Sequence, residues 1–246
     1  KEKNILCQSG ENLFKYVFNK LFVQVSRSTV YRFIKKNEFK KLLPRPIHAK
    51  NDKELMNKWK KEINSKIDEV KCLYKEKEIE IYFQDESRFG QQTCRYRMWC
   101  KKGSRPTYIK QNGFLNSWIF GVANPKTGKK FGLILPKLDT INMQIFLNKF
   151  SKKISYKKHA IVILDGSKAH RNSVLKIPKN ITLHFLPPYC PELNPIERLW
   201  LYIKKNYLSF KLYYTIEKLN QIGADSWNKI NEEMVKSICR CNYLTL

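Results

Sequence analysis

The run Ala160-Ile161-Val162-Ile163-Leu164, closed by Asp165, constrains the fold more than any other segment. It is apolar throughout and rich in β-branched residues, without the alternation of a half-solvated strand. A strand of that kind is covered on both faces, which demands helices above and below a sheet. The neighbouring patterns supply the other strands. EIEIYFQ (78–84) alternates as a strand and RYRMWCKKG (95–103) is expected to continue the sheet. WIFGVAN (118–124) and KFGLIL (130–135) are expected to form a hairpin over a Pro-Lys-Thr-Gly turn. A helix is predicted from Asp139 or Thr140 through MQIFLNKFSKKI, and a short strand at ITLHFL (181–186). NPIERLWLYIKK then opens a helix with Asn194 as cap and Pro195 at its first position, and two helices, about 215–229 and 231–239, close the chain. The order is that of an α/β fold, a mixed sheet flanked by helices, with Trp99 and Trp200 expected in its core.

Upstream, Asn12 to Glu38 reads as two short helices and a tight turn, LFKYVFNKLF and then SRSTVYRFIKK with Ser26 as N-cap. Val30, Phe33 and Ile34 are expected to face inward, leaving Arg27, Thr29, Arg32 and Lys35 outside, a face suited to phosphates and base edges. This is the pattern of a helix-turn-helix. A basic helical hairpin with a solvated face has the same pattern. LPRPIHAK (43–50) follows as a linker whose Pro-Arg-Pro could also lie in a minor groove. Asn51 is then expected to cap a long helix, with Glu54 completing a capping box and Leu55, Trp59, Ile63, Ile67, Val70 and Leu73 as its apolar stripe. Three parts result: 1–50 as a partial helix-turn-helix and linker, 51–77 as a connecting helix, and 78–246 as the α/β domain.

Charge narrows the partner. Lys and Arg total 48 against 21 acids, a formal net charge of +27, which favours a polyanion and argues for nucleic acid. No run approaches the roughly 18 apolar residues of a spanning helix. The cysteines at 7, 72, 94, 100, 190, 239 and 241 form no CxxC pair and are odd in number, so a zinc knuckle or a disulfide framework is not indicated. Reduced thiols and a cytoplasmic location are expected. The chain opens with charged KEKN rather than a leader pattern.

Three acids fall at places that can converge on one rim of the sheet. Asp85 is expected to end the first strand, Asp165 to end the buried one, and Glu197 to open a later helix. Carboxylates gathered there would repel one another unless cations sit among them, and Mg²⁺ takes oxygen ligands of this kind. Two such ions about 3.5–4 Å apart can activate an attacking oxygen and stabilise a leaving one in phosphodiester cleavage. Singly, each acid has a plainer explanation: Asp85 and Glu86 as turn residues, Asp165 as the start of a turn through Gly166, Glu197 as a capping-box glutamate.

The surrounding blocks decide between these. QDESRFG (84–90), VILDGSKAHRN (162–172) and LPPYCPELNPIERLW (186–200) closely resemble the catalytic blocks of DDE transposases, of the bacterial insertion-sequence branch of the mariner-like superfamily. MWCKKGSRP (98–106) is similar to that family's Trp-x-x-x-Gly-x-x-Pro segment, and VSRSTVYRFIKKNEFKKLLPRP (25–46) to its second, winged-type helix-turn-helix. The resemblance implies an RNase H-like fold and a triad of Asp85, Asp165 and Glu197 holding Mg²⁺ or Mn²⁺, with two ions expected. It also implies inverted-repeat DNA as substrate and insertion at TA; pairing of two ends would suit a homodimer, and a bacterial, nucleoid-associated location is expected. His170 matches a His common in the family, placed either beside the metal ligands or against DNA, or simply capping the next segment. Glu86 is expected to be a bystander whose change to Gln spares activity. Gly166 stands where the family usually has Asn. A first helix-turn-helix should precede the one seen, so a truncated N-terminus is expected. The alternative is then a catalytically silent derivative that occupies transposon ends.

If binding to DNA is chiefly electrostatic, affinity should fall steeply with salt, with a log–log slope of roughly several units for several phosphate contacts. A filter-binding series from low to physiological ionic strength measures this, and a nearly flat response would contradict it.

Overall fold

The structure, a computed structural model, describes residues 14, 15, 19, 25–38, 49–92, 96–167 and 169–244. The chain divides into two compact units, residues 1–47 and 48–246. In the first, helix α1 (Arg27–Lys36) begins as its sequence requires: Ser26 is extended and its hydroxyl accepts from the Thr29 N–H at 3.2 Å. Val30 is buried, and Arg27, Thr29, Arg32 and Lys35 are exposed. Phe33, expected inside, is 62% exposed. The α1 stripe is therefore narrower than its spacing suggested. The preceding helix expected near 13–22 and the Pro-Arg-Pro segment at 44–46 lie mostly or wholly outside the described residues.

The second unit is built on a five-stranded sheet in the order β3-β2-β1-β4-β5. Its strands are β1 (Glu78–Gly90), β2 (Asn116–Ala123), β3 (Lys130–Leu135), β4 (Lys158–Leu164) and β5 (Ile181–Phe185). β1, β2 and β3 form an antiparallel meander, while β4 and β5 run parallel to β1. The β2–β3 turn closes at Gly128 (φ 79°), where a Cβ would meet the Glu232 carbonyl oxygen at 2.3 Å. Residues 96–103, expected as a strand, carry no regular structure, and Trp99 is fully exposed rather than in the core. Their Lys and Arg content gives no apolar face to hold against a sheet.

The buried strand behaves as its composition dictates. Ile161 and Ile163 face one layer, with α2 (Lys53–Leu73), α4 (Ile196–Ile203), α5 (Ile216–Asn228) and α6 (Glu232–Ile238). Ala160, Val162 and Leu164 face the other, against Met143, Phe146, Leu147 and Phe150 of α3 (Thr140–Ser151). The long helix α2, expected as a connector, contributes Trp59, Ile63, Ile67 and Val70 to the first layer. Leu55 and Leu73, at the ends of its stripe, are 39% and 78% exposed. Its cap is Asp52, whose Oδ1 accepts from the Glu54 and Leu55 N–H groups, and not Asn51.

At the edge of the second layer, Glu80 is 5% exposed yet ionised. Burial alone would raise its pKa, but Lys158 at 2.7 Å, Lys129 at 2.9 Å and the Tyr82 hydroxyl at 2.8 Å outweigh that and hold it below its ordinary value. A depressed carboxylate contributes stability that is complete above its unfolded pKa and lost as pH falls through the folded one. Glu80→Gln should therefore cost about 2 kcal/mol at neutral pH. The gap from wild type should shrink as pH falls below the ordinary carboxylate range, as denaturant titrations at several pH values would show.

Candidate active site

Parallel pairing of β1 with β4 brings two of the acids to one rim. The ladder runs from Glu78↔Lys158 to Phe83↔Ile163 and then stops, because β4 ends at Leu164. Asp165 is the next residue of that chain and Asp85 lies two past the last paired residue of β1. Asp85 does not end its strand, as the sequence suggested. β1 continues to Gly90 along β2, so one side of Asp85 is sheet and the other is open. Beyond the ladder the Gln84 carbonyl takes its hydrogen bond from the buried Asn194 side-chain amide at 3.0 Å. That bond pins the start of α4, and Glu197 stands in its first turn.

Asn194 is therefore a tether rather than the side-chain cap expected of it. Its Oδ1 lies a long 3.4 Å from the Ile196 N–H, and its backbone carbonyl accepts from Glu197 N–H at 3.3 Å. The loop before it is tied down as well. Tyr189 adopts φ 59°, in the left-handed region, and its carbonyl accepts from Asn51 Nδ2 at 2.9 Å.

The electrostatics divide the acids unequally. Burial pushes Asp85 well above the usual carboxylate range, and the charges of Glu197 and Glu86 push it further, against hydrogen bonds from the Glu86 backbone and the Trp200 indole. Burial also raises Glu197, opposed by the Lys204 cation and by a hydrogen bond with Asp85. Both carboxyls are thus held above their ordinary range, Asp85 by burial and by the charges of Glu197 and Glu86, Glu197 by burial and the charge of Asp165. Asp165 adds repulsion to Glu197 but is itself engaged elsewhere. Burial would raise it, yet His170 Nδ1 at 2.6 Å and the Ser167 N–H at 3.1 Å hold it low.

His170 is buried. Burial alone would depress it, but Asp165 and Glu86 raise it to about 10, with Nε2 2.9 Å from Glu86 Oε1. Its alternatives as a DNA contact or a cap thus give way to a clamp between two acids. Glu86, expected as a bystander, is its second anchor and also accepts from Gln84 Nε2 at 2.7 Å. At Gly166 a Cβ would meet the Arg171 Nε at 2.6 Å, and that guanidinium lies 4.6 Å from the Phe185 ring centroid. Arg171 thus fills the space a larger residue at 166 would need.

Sequence reasoning missed Glu86, Lys204 and the indole N–H of Trp200. The last two were within reach. Trp200 follows Glu197 by three residues and Lys204 by seven, both on one helical face. Trp200 is in the core as expected, while its N–H donates to Asp85 Oδ2 at 2.9 Å.

The donor set is all carboxylate oxygen, and the charge repulsion that Asp85 and Glu197 each feel from neighbouring acids marks a place where a hard divalent cation would relieve it. The residues present fit such an ion. Among the described residues, however, no three acid, His or Cys side chains form a ready-made metal cage, Asp165 being turned to His170.

Comparison with known proteins places this architecture. Residues 80–220 match the family model described as DDE superfamily endonuclease, and residues 7–63 match a winged helix-turn helix. The chain belongs to the DDE superfamily of endonucleases. Within it, the likeness is to the mariner-like transposases. The chain is 28% identical over 174 residues to the transposable element Tc3 transposase of Caenorhabditis elegans, covering 65% of this chain and 52% of that one, about half its length. An uncharacterised protein of Sinorhizobium fredii is 38% identical over 117 residues, 48% of this chain and 87% of that one. The Mos1 mariner paired end complex with Mn superposes with a TM-score of 0.65 at 12% identity, over 97% of this chain and 78% of that one. The catalytic domain of Mos1 does so with 0.52 at 10% identity, over 79% and 91%. The fold is RNase H-like.

If Asn194 holds α4 to β1, Asn194→Ala leaves the Gln84 carbonyl without its partner and should destabilise the protein by about 1–3 kcal/mol. Equilibrium unfolding of the full chain reads this directly. An unchanged midpoint would show that the tether is not structural.

Proposed function

We propose that this chain is a transposase that cuts the phosphodiester backbone at the ends of a mobile DNA element and joins the freed ends to target DNA. Asp85, Asp165 and Glu197 are the residues that hold the divalent metal, Mg²⁺ or Mn²⁺. The reading rests chiefly on the convergence of Asp85, Asp165 and Glu197 at the rim where the β1–β4 ladder stops, in a chain of net charge +27. The solved relatives whose fold it shares include the Mos1 paired end complexes with Mn and with Mg.

The reaction is displacement at phosphorus. A water oxygen attacks, the 3′ oxygen of the element end leaves and takes up a proton; that hydroxyl later attacks a target phosphodiester, loses its proton and displaces the target strand's 3′ oxygen, which leaves as a hydroxyl. A bound divalent ion supplies electrostatic stabilisation of the charge that grows on the phosphoryl oxygens. The protein's share is positioning and field. Asn194 fixes α4, and so Glu197, against β1. His170 holds Asp165 to Glu86 and keeps it ionised. Lys204 and Arg171 put positive charge at the rim, where phosphates would lie. Arg27, Thr29, Arg32 and Lys35 on α1 are the proposed contacts to the inverted repeat, and TA is the proposed target. Bringing two ends together calls for two copies of the chain. The described residues contain no helix long and apolar enough to cross a membrane, and the cytoplasm, where chromosomal DNA lies, is the proposed location.

Asp85→Asn, Asp165→Asn and Glu197→Gln should each abolish Mg²⁺- or Mn²⁺-dependent cleavage of inverted-repeat DNA while sparing DNA binding. An amide keeps the shape and loses the charge that holds the ion. The exposed Asp68→Asn on α2 should cleave as wild type. Cleavage by the Glu197→Gln protein at wild-type rate would defeat the assignment. Binding without cleavage by the wild-type chain would favour a silent end-binding derivative.

A second outcome concerns α1. Changing Arg27 and Arg32 together to Ala should remove most discrimination between inverted-repeat and random DNA, measured by competition. Unchanged specificity would rule out α1 as the reading helix.

A further inference from the structure

Asp85 has a register partner on β2, Gly121, which in turn pairs with Gly132 on β3. A Cβ at Gly121 would meet the Trp200 ring at 2.7 Å and the Trp227 ring at 2.8 Å, and one at Gly132 would meet the Trp227 ring at 2.7 Å. The two glycines lie side by side and make a flat floor across the strands. On it rest the two indoles, with ring centroids 5.3 Å apart and planes tilted by 35°. Lys130 closes the far side, its Nζ 4.8 Å from the Trp227 ring centroid and donating to the Trp227 carbonyl at 2.9 Å.

Core packing accounts for the rings but not for the direction of the Trp200 N–H. A buried indole N–H needs an acceptor, and a backbone carbonyl serves Trp59, which donates to Phe185 at 3.0 Å. Trp200, 3% exposed, spends its only donor on a carboxylate of the candidate site, Asp85 Oδ2 at 2.9 Å. Once a cation holds Asp85 ionised, that bond is shorter and stronger than one to a carbonyl.

We propose that Trp200 is a positioning residue for Asp85: its indole commits one carboxylate oxygen, leaves the other for the cation, and is itself set in place by the Gly121–Gly132 floor through Trp227. The proposal rests on the reading of Asp85 as a metal ligand. It assigns a metal-directed role to residues whose burial alone would class them as core.

The test uses the full chain, with Mg²⁺ and Mn²⁺ alone as probes. Trp200→Phe keeps an aromatic ring but loses the N–H together with part of the indole's packing surface, a loss that Trp59→Phe matches at an N–H bonded to a backbone carbonyl. Removing a hydrogen bond to a metal ligand typically weakens affinity roughly ten- to hundredfold. Calorimetry should show that loss in Trp200→Phe, with circular dichroism unchanged, and little loss in Trp59→Phe. Gly132→Ala, whose added Cβ meets Trp227 rather than Asp85, should weaken binding in the same direction and decides the matter if Trp200→Phe fails to fold. The wild-type indole N–H resonance that vanishes in Trp200→Phe should shift during Mg²⁺ titration with the calorimetric affinity, which packing alone would not cause. Trp200→Phe or Gly132→Ala binding as tightly as wild type, or a Trp200 resonance indifferent to Mg²⁺, overturns the proposal. Asp85→Asn separates the levels. If it abolishes binding while Trp200→Phe does not, only the positioning role falls. If it binds as wild type, the metal reading falls and takes this proposal with it.

Discussion

Parallel pairing of β1 with β4 is the constraint on which the rest of the molecule depends. Parallel neighbours end on the same side of a sheet, so a strand that stops at Leu164 delivers Asp165 beside the stretch of β1 that carries Asp85. The same early stop leaves the Gln84 carbonyl without a ladder partner, and Asn194 fills that vacancy and brings α4 with it. Three segments far apart in the chain are thus gathered by one short ladder and one buried amide. The ladder in turn requires both faces of β4 to be covered, which is the task of α3 on one side and of α2, α4, α5 and α6 on the other.

The polar residues near the rim fall into two linked sets. One couples Asp85, Glu197 and Trp200, and the other couples Asp165, His170 and Glu86. Each pins one end of the site by hydrogen bonds to charged groups, the kind worth most in a partly buried setting. Positive charge from Lys204 and Arg171 lies beside them, so the acids sit within a field suited to a phosphate backbone. Held groups of this sort would need little reorganisation as charge develops in the proposed reaction.

Much of this was legible in the sequence, and for identifiable reasons. The unbroken apolar run at 160–164 announced a doubly covered strand, and KFGLIL fell where β3 lies, residue for residue. Ser26 caps the helix it was expected to cap, and the helix expected to start at Asp139 or Thr140 begins there with Asp139 as its cap, because a side-chain oxygen ahead of an apolar period is a local signal. What failed was non-local. Asn51 and Asn194 looked like caps, but their amides reach residues far along the chain, Tyr189 and Gln84. Glu86 looked like a bystander because nothing local shows that His170 will fold over it. Trp99 looked like core by composition alone, and its basic neighbours argue otherwise. The blocks that carry Asp85, Asp165 and Glu197 were recognisable as sequence; the arrangement in which His170 holds Asp165 was not.

The central claim is that the rim formed by Asp85, Asp165 and Glu197 binds divalent metal. Crystals of the full chain soaked in Mn²⁺, with anomalous scattering collected at the manganese edge, test it most directly. The account predicts anomalous density among these three carboxylates, with Asp85 and Glu197 parted from their shared hydrogen bond to receive it. Strong manganese peaks elsewhere on the protein, with none at this rim, would contradict it.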